Sequence, residues 1–161
     1  MYKRILVPTD GSDTAKAGVI EACKLAQELG AQVRLVHVVE PYMAVPPEAY
    51  GVAYEQVTES LRAGGASALL YAQTVAKEAG VTAETQLIEA MGASAGELII
   101  KAAKDWPADL IVCGTHGRRG LLRMVMGSDA EYILHRTPVP ILLIREVGRY
   151  TSVLSNEAPA T

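Results

Sequence analysis

The sequence predicts an α/β fold: an open, doubly wound, five-stranded parallel sheet with helices on both faces. Three observations predict it. Short apolar runs opening at Ile5, Val33, Val81, Leu110 and Val139 alternate with longer stretches of helical periodicity, the mark of repeated β-α units. Most of these runs are nearly continuous in Val, Leu and Ile, as strands covered on both faces must be. Half of the 161 residues are hydrophobic, yet there is no Phe and a single Trp, so aliphatic side chains and Ala must fill the core. A chain of this length suits one domain with a full core, not two.

Ile5-Leu6-Val7 forms the first strand, and Pro8 stands where it ends. Thr9-Asp10-Gly11-Ser12 turns into a helix from Asp13, which sets Ala15, Val19, Ala22, Ala26 and Leu29 on one face before Gly30 ends it. Strand two, Val33 to Val39, is apolar except for Arg34 and His37. A β-α-β unit this short makes a parallel pair with a right-handed crossover. Pro41 to Gly51 is a loop with prolines at 41, 46 and 47, either a cover over a ligand or plain surface. A long helix follows from about Val52 to Ala79, with Val57, Leu61, Ala68, Ala72, Val75 and Ala79 on one stripe. Gly64-Gly65 interrupts it, as a kink or as a place of close packing.

Strand three, Val81 to Ile88, alternates polar and apolar residues, which suits a sheet edge. Ser94-Ala95-Gly96-Glu97 is a capping box for a third helix that stops at Trp106-Pro107. Leu110 to Cys113 is strand four. A fourth helix begins at Asp129, capped by Ser128, and Ala130, Ile133 and Leu134 line it. Val139 to Ile144 is strand five. Residues 147–161 read as a C-terminal tail, disordered or docked on a partner, outside a domain of residues 1–146.

Between strand four and the fourth helix the chain is organised for an anion. Gly114 and Gly117 follow the strand, and Gly127-Ser128 precedes the helix. Glycines let backbone approach a ligand, and the free N–H groups and dipole of a helix start meet phosphate. A P-loop needs a lysine that this stretch lacks, and the dinucleotide fingerprint needs its glycines closer together. The spacing G-x2-G-x9-G-S instead resembles the nucleotide-binding motif of the universal stress protein family. Lys3 to Ser12, Val36 to Val39 and Thr137 to Arg145 resemble that family's first, second and last strands. The resemblance runs from about residue 1 to about residue 146.

That resemblance implies the strand order 3-2-1-4-5, which puts a ligand crevice between strands one and four. It implies ATP as ligand, with or without Mg²⁺, a homodimer through the edge strand around residues 139–145, and a nucleotide-dependent regulator in the stress response. Gly114, Gly117, Gly127 and Ser128 would contact phosphate and ribose; the plainer reading is turn glycines and a helix cap. Pro8, Thr9 and Asp10 would border the nucleoside, or Asp10 simply holds its turn. Val38 would lie near adenine, although any buried strand favours Val at such a position, and Met126 would pack on the base or fill core. His116 between the two glycines can donate to a phosphate. Arg118, with Arg119 and Arg123, can answer its charge or stand as solvated surface. His37 reads as a core histidine. Cys113 reads as a buried, inert thiol unless its thiolate is stabilised. Members that bind nucleotide usually carry a small or apolar residue after Gly-Ser; Asp129 stands there in this chain, and it would either repel a bound phosphate, the favoured reading, or help hold a divalent ion beside it.

No set of residues marks a catalytic base, so the chain reads as a regulator rather than a robust enzyme, with weak ATP hydrolysis left open. Two alternatives remain beside it. One is an ATP-hydrolysing enzyme of the related adenine-nucleotide hydrolase architecture, whose S-G-G-x-D-S loop is replaced here by Pro8-Thr9-Asp10-Gly11-Ser12. The other is a dimeric interaction module without nucleotide. A phosphorelay receiver is excluded, because Asp10 has no acidic neighbour and Ala90-Met91 follows strand three. A net charge of −3 argues against non-specific nucleic-acid binding. The absence of any long apolar run argues against a membrane span, and two cysteines do not make a disulfide framework. The cytoplasm is the expected location.

Overall fold

The structure, a computed structural model, describes residues 1–41, 52–115 and 126–145. The chain runs β1 (Arg4–Pro8), α1 (Asp13–Leu29), β2 (Gln32–Val39), α2 (Val52–Glu78), β3 (Ala83–Glu89), α3 (Ala95–Asp105), β4 (Leu110–Gly114), α4 (Ser128–Arg136) and β5 (Ile141–Ile144). All strand pairs are parallel, in the order β3-β2-β1-β4-β5. The loop expected at 42–51 and the tail at 147–161 lie outside the described residues.

Strand period and helix placement divide the core in two. Ile5, Val7, Val33, Leu35 and Val112 face α1 and α2, meeting Val19, Ala22, Leu69 and Ala72. Leu6, Val36 and Ile111 face the other way, against Ile99, Ala103, Trp106 and Ile133 of α3, α4 and their ends. Right-handed crossovers that leave β1 in one direction and β4 in the other must put α1 and α4 on opposite faces. The two loops therefore part at the carboxyl ends of β1 and β4.

Local signals read from the sequence hold at most helix ends. Ser12 caps α1 by accepting the Ala15 N–H at 3.3 Å, and Gly30 closes it in the left-handed region at φ 62°. Ser94 and Glu97 form both halves of the capping box on α3. The polar β3 lies at an edge.

Three boundaries or roles differ, and one open alternative is decided. β3 begins at Ala83 rather than Val81, because the Val81 N–H turns back to the Ala76 carbonyl at 2.9 Å and helps close α2. β5 begins at Ile141 rather than Val139: the Val139 N–H goes to the Thr137 hydroxyl, and Pro140 has no N–H to offer. α2 runs unbroken through Gly64-Gly65. Of the two readings of that pair, close packing is the one found, since a Cβ on Gly65 would stand 2.4 Å from Cδ2 of His37. At α4 the cap is Gly127, not Ser128. The Gly127 carbonyl accepts the first intrahelical bond, from Glu131 at 2.9 Å, so Ser128 is already inside the helix.

Candidate functional site

The C-terminal ends of β1 and β4 build two walls. On the β1 side, Pro8 pairs with Val36 of β2, and the Thr9 N–H continues to the Val36 carbonyl at 2.8 Å. Thr9 is buried, and its carbonyl lies 2.8 Å from Nδ1 of His37. A carbonyl only accepts, so Nδ1 carries the proton. Asp10 follows, and its Oδ1 accepts the Ser12 N–H at 2.9 Å. The side chain thus does hold its own turn, while Gly11 takes the positive φ of 79° that the turn requires.

On the β4 side, Gly114 sits directly under the start of α1. A Cβ there would lie 2.9 Å from the carbonyl carbon and oxygen of Thr14. This glycine therefore has a packing duty: it lets α1 close on the end of the strand. Thr115 then makes two bonds that give the stretch its base. Its N–H donates to Ile144 of β5 at 2.9 Å, and its carbonyl accepts the Gly127 N–H at 2.9 Å. The second bond brings the start of α4 back beside the end of β4, so Gly114, Thr115, Gly127 and Ser128 are neighbours although eleven residues separate the two pairs. Nothing in the sequence singled out Thr115; its signal was a polar residue directly after an apolar strand.

One consequence concerns donors. Gly127 N–H is engaged with Thr115, so it is the following N–H groups, from Ser128 onward, that open α4. No side chain among the described residues caps this helix. A helix start at the carboxyl edge of a parallel sheet is suited to an anion.

Asp129, in the first turn of α4, reaches across to α3. Its Oδ1 accepts the Gly96 N–H in the first turn of α3 at 3.3 Å, where Oε1 of Glu40 takes the neighbouring Ala95 N–H. Two carboxylates from other elements thus meet the positive end of α3. This contact gives Asp129 a partner in α3 that the sequence did not reveal. Gly96 also allows α4 to approach, since a Cβ there would be 2.9 Å from the Tyr132 ring. Sequence reading missed Gly96; a glycine in the first turn of a capped helix was its only trace.

Among the remaining candidates, Val38 is half-buried on the α3 side, packed beside Val36, and Met126 is half-buried just ahead of Gly127. His116, Gly117 and Arg118, with Arg119 and Arg123, lie outside the described residues. Cys113 is buried, and burial pushes its thiol up to about 12; Cys23 is raised for the same reason. Both are free, and neither environment stabilises a thiolate. Among the described residues, no group of three or more His, Cys, Asp and Glu is arranged for a metal ion, and no helix is long and apolar enough to cross a membrane.

Comparison with known proteins supplies the family context. The Universal stress protein family model matches residues 1–145. A universal stress protein of Methanocaldococcus jannaschii is 36% identical over 148 residues, covering 91% of this chain and 84% of that protein. The solved universal stress protein UspA from Lactobacillus plantarum has a TM-score of 0.77 at 29% identity, covering 89% of this chain and 98% of that one. A universal stress protein from Archaeoglobus fulgidus, solved in complex with dAMP, has a TM-score of 0.66 at 22% identity, over 89% of this chain and 98% of that one. At that identity the likeness is one of fold.

Proposed function

The chain belongs to the universal stress protein family, and we propose that it is an ATP-binding member acting as a nucleotide-dependent regulator in the stress response. The observation that carries this reading is the pair of walls at the point where the strand order reverses. The Thr9–Asp10 turn ends β1 on one side, and the bond from Gly127 to Thr115 seats the start of α4 on the other. In this reading Pro8, Thr9 and Asp10 border the nucleoside, Val38 and Met126 offer apolar contact to the base, and α4 from Ser128 onward receives the phosphates. Gly114 keeps the floor of the crevice thin. His116, Gly117 and Arg118 complete the phosphate side from the stretch between the walls. The complex of the Archaeoglobus fulgidus protein with dAMP supports adenine as the base. Mg²⁺ enters with the phosphates it neutralises rather than in a protein cage.

The sequence marks no catalytic base, so occupancy rather than turnover is the signal. The nucleotide-binding unit is residues 1–146, with residues 147–161 as an appended tail. A homodimer through residues 139–145 completes the assembly, in the cytoplasm. Mass spectrometry of the purified protein under non-denaturing conditions tests the reading. The expected species is a dimer carrying adenine nucleotide, with ATP turnover below about one per minute in a companion assay, far under the ~10 per second of a typical enzyme. Rapid turnover makes it an enzyme. No bound nucleotide, together with no thermal shift for any nucleotide and metal combination, makes it an interaction module.

A further inference from the structure

The imidazole of His37 stands where the ladder between β1 and β2 ends. Thr9 gives its N–H to Val36 as the ladder requires, but its carbonyl takes the His37 Nδ1–H at 2.8 Å. The same peptide leads into Asp10, so both ends of the last fixed residue before the turn are tied to β2. The ring is held from behind as well. It is 6% exposed, and α2 closes on its other edge at Gly65, where a Cβ would come within 2.8 Å of Nε2. A ring trapped between a carbonyl and a helix backbone has one orientation, and that orientation fixes the carbonyl.

We infer that His37, seated on Gly65, is a positioning residue for the nucleoside wall: its Nδ1–H holds the Thr9 carbonyl and thereby sets the Thr9–Asp10 turn. The inference rests on the nucleotide-binding reading above, but the device itself is present without ligand. His37 touches no ligand in this scheme. It acts through Thr9, and α2 acts through it, so the wall that borders the nucleoside is braced by a helix remote from the crevice.

The test compares ATP affinity, by calorimetry with Mg²⁺, in wild type, His37→Leu, His37→Asn and Gly65→Ala. Asn can place its amide N–H near the position of Nδ1; Leu cannot donate. Loss of the bond should weaken ATP roughly tenfold in His37→Leu, and Asn should recover it to within about threefold of wild type, the scale of one hydrogen bond. Gly65→Ala should weaken binding although Ala favours a helix, because the methyl group displaces the ring. It also serves if the Leu variant does not fold. A second readout needs no nucleotide: amide exchange at Gly11 and Ser12, whose N–H groups bond within this turn. Exchange there should quicken in His37→Leu and Gly65→Ala while β1 amides at Leu6 and Val7 keep theirs. Folded variants with wild-type affinity and exchange overturn the proposal, as does Asn no better than Leu. Faster exchange in the variants, with no ATP binding by wild type, overturns the nucleotide reading and with it the service of this brace to a nucleoside.

Discussion

The Asp129 carboxylate accepts the backbone N–H of Gly96 at 3.3 Å, tying the first turn of α4 to the first turn of α3. Read as a bare sequence, an acid after Gly-Ser is an obstacle to phosphate. In the fold it is a strut that sets where the start of α4 points. Asp129→Val should therefore not tighten ATP binding. It should lower stability by about 1–2 kcal/mol in urea unfolding, the cost of orphaning a charge-assisted bond at a helix start, and weaken ATP in calorimetry. Asp129→Asn, which keeps an acceptor, should lose less of both. Tighter binding by the Val variant in chelator would restore the repulsion picture.

Gly127 lies in the extended region, with φ −64° and ψ 147°, which any residue adopts. Gly127→Val thus places a side chain at the head of α4 without backbone strain. ATP at ~100 times its dissociation constant should stabilise wild type by about 2.7 kcal/mol, read as a higher melting temperature, and the Val variant should show no shift. A variant that melts like wild type in both conditions would move the phosphates elsewhere.

β5 sits at the edge of the sheet, and its side chains are not equally informative. Ile141 and Ile144 pack on opposite faces of the protomer core, so charging either damages the fold. Leu142 is 37% exposed and is the cleaner probe. For a dimer through residues 139–145, Leu142→Lys should give monomers by light scattering, with a loss of protomer stability under about 0.5 kcal/mol. Undiminished dimers would put the interface on another surface.

Burial raises Cys113 to about 12, so its thiolate is scarce in the folded protein at neutral pH. Iodoacetamide at pH 8 should label Cys113 and Cys23 at least ~100-fold faster in urea than in buffer. The sign of the linkage follows. A thiol raised on folding contributes its full stability below the usual thiol range near 9, and that contribution is lost as pH climbs toward 12. Cys113→Ala should flatten the alkaline side of the stability curve.

Glu97 is held below the usual carboxylate range, chiefly by the Ser94 backbone N–H. A lowered carboxylate contributes stability above its unfolded value and loses it as pH falls through the folded one. Urea midpoints taken from pH 6 to pH 2 should therefore drop less steeply in Glu97→Gln than in wild type. Parallel curves would mean that the capping box is not holding α3 in solution.

The sequence by itself determined the elements, because periodicity, glycine stops and capping residues act over a few neighbours. Gly30 ended α1 and the Ser94–Glu97 box opened α3 where they were read, and the half-polar β3 announced a sheet edge. The glycine spacing around β4, through its likeness to a known motif, supplied the strand order that the sheet shows. What only tertiary structure decided were the partners of single groups across the fold. Gly64-Gly65 read as a kink or as close packing, and the structure chose packing, with room at Gly65 for His37; His37 read as core and is buried, but it also holds the Thr9 carbonyl; Asp129 of α4 found a partner in the first turn of α3. Gly96 and Thr115 left only faint traces, a glycine in a first helical turn and a polar residue after an apolar strand. Contacts of this kind join residues 25 to 40 positions apart or bridge a long insertion. Local pattern fixes which face a residue occupies, but only packing brings a particular donor to a particular acceptor.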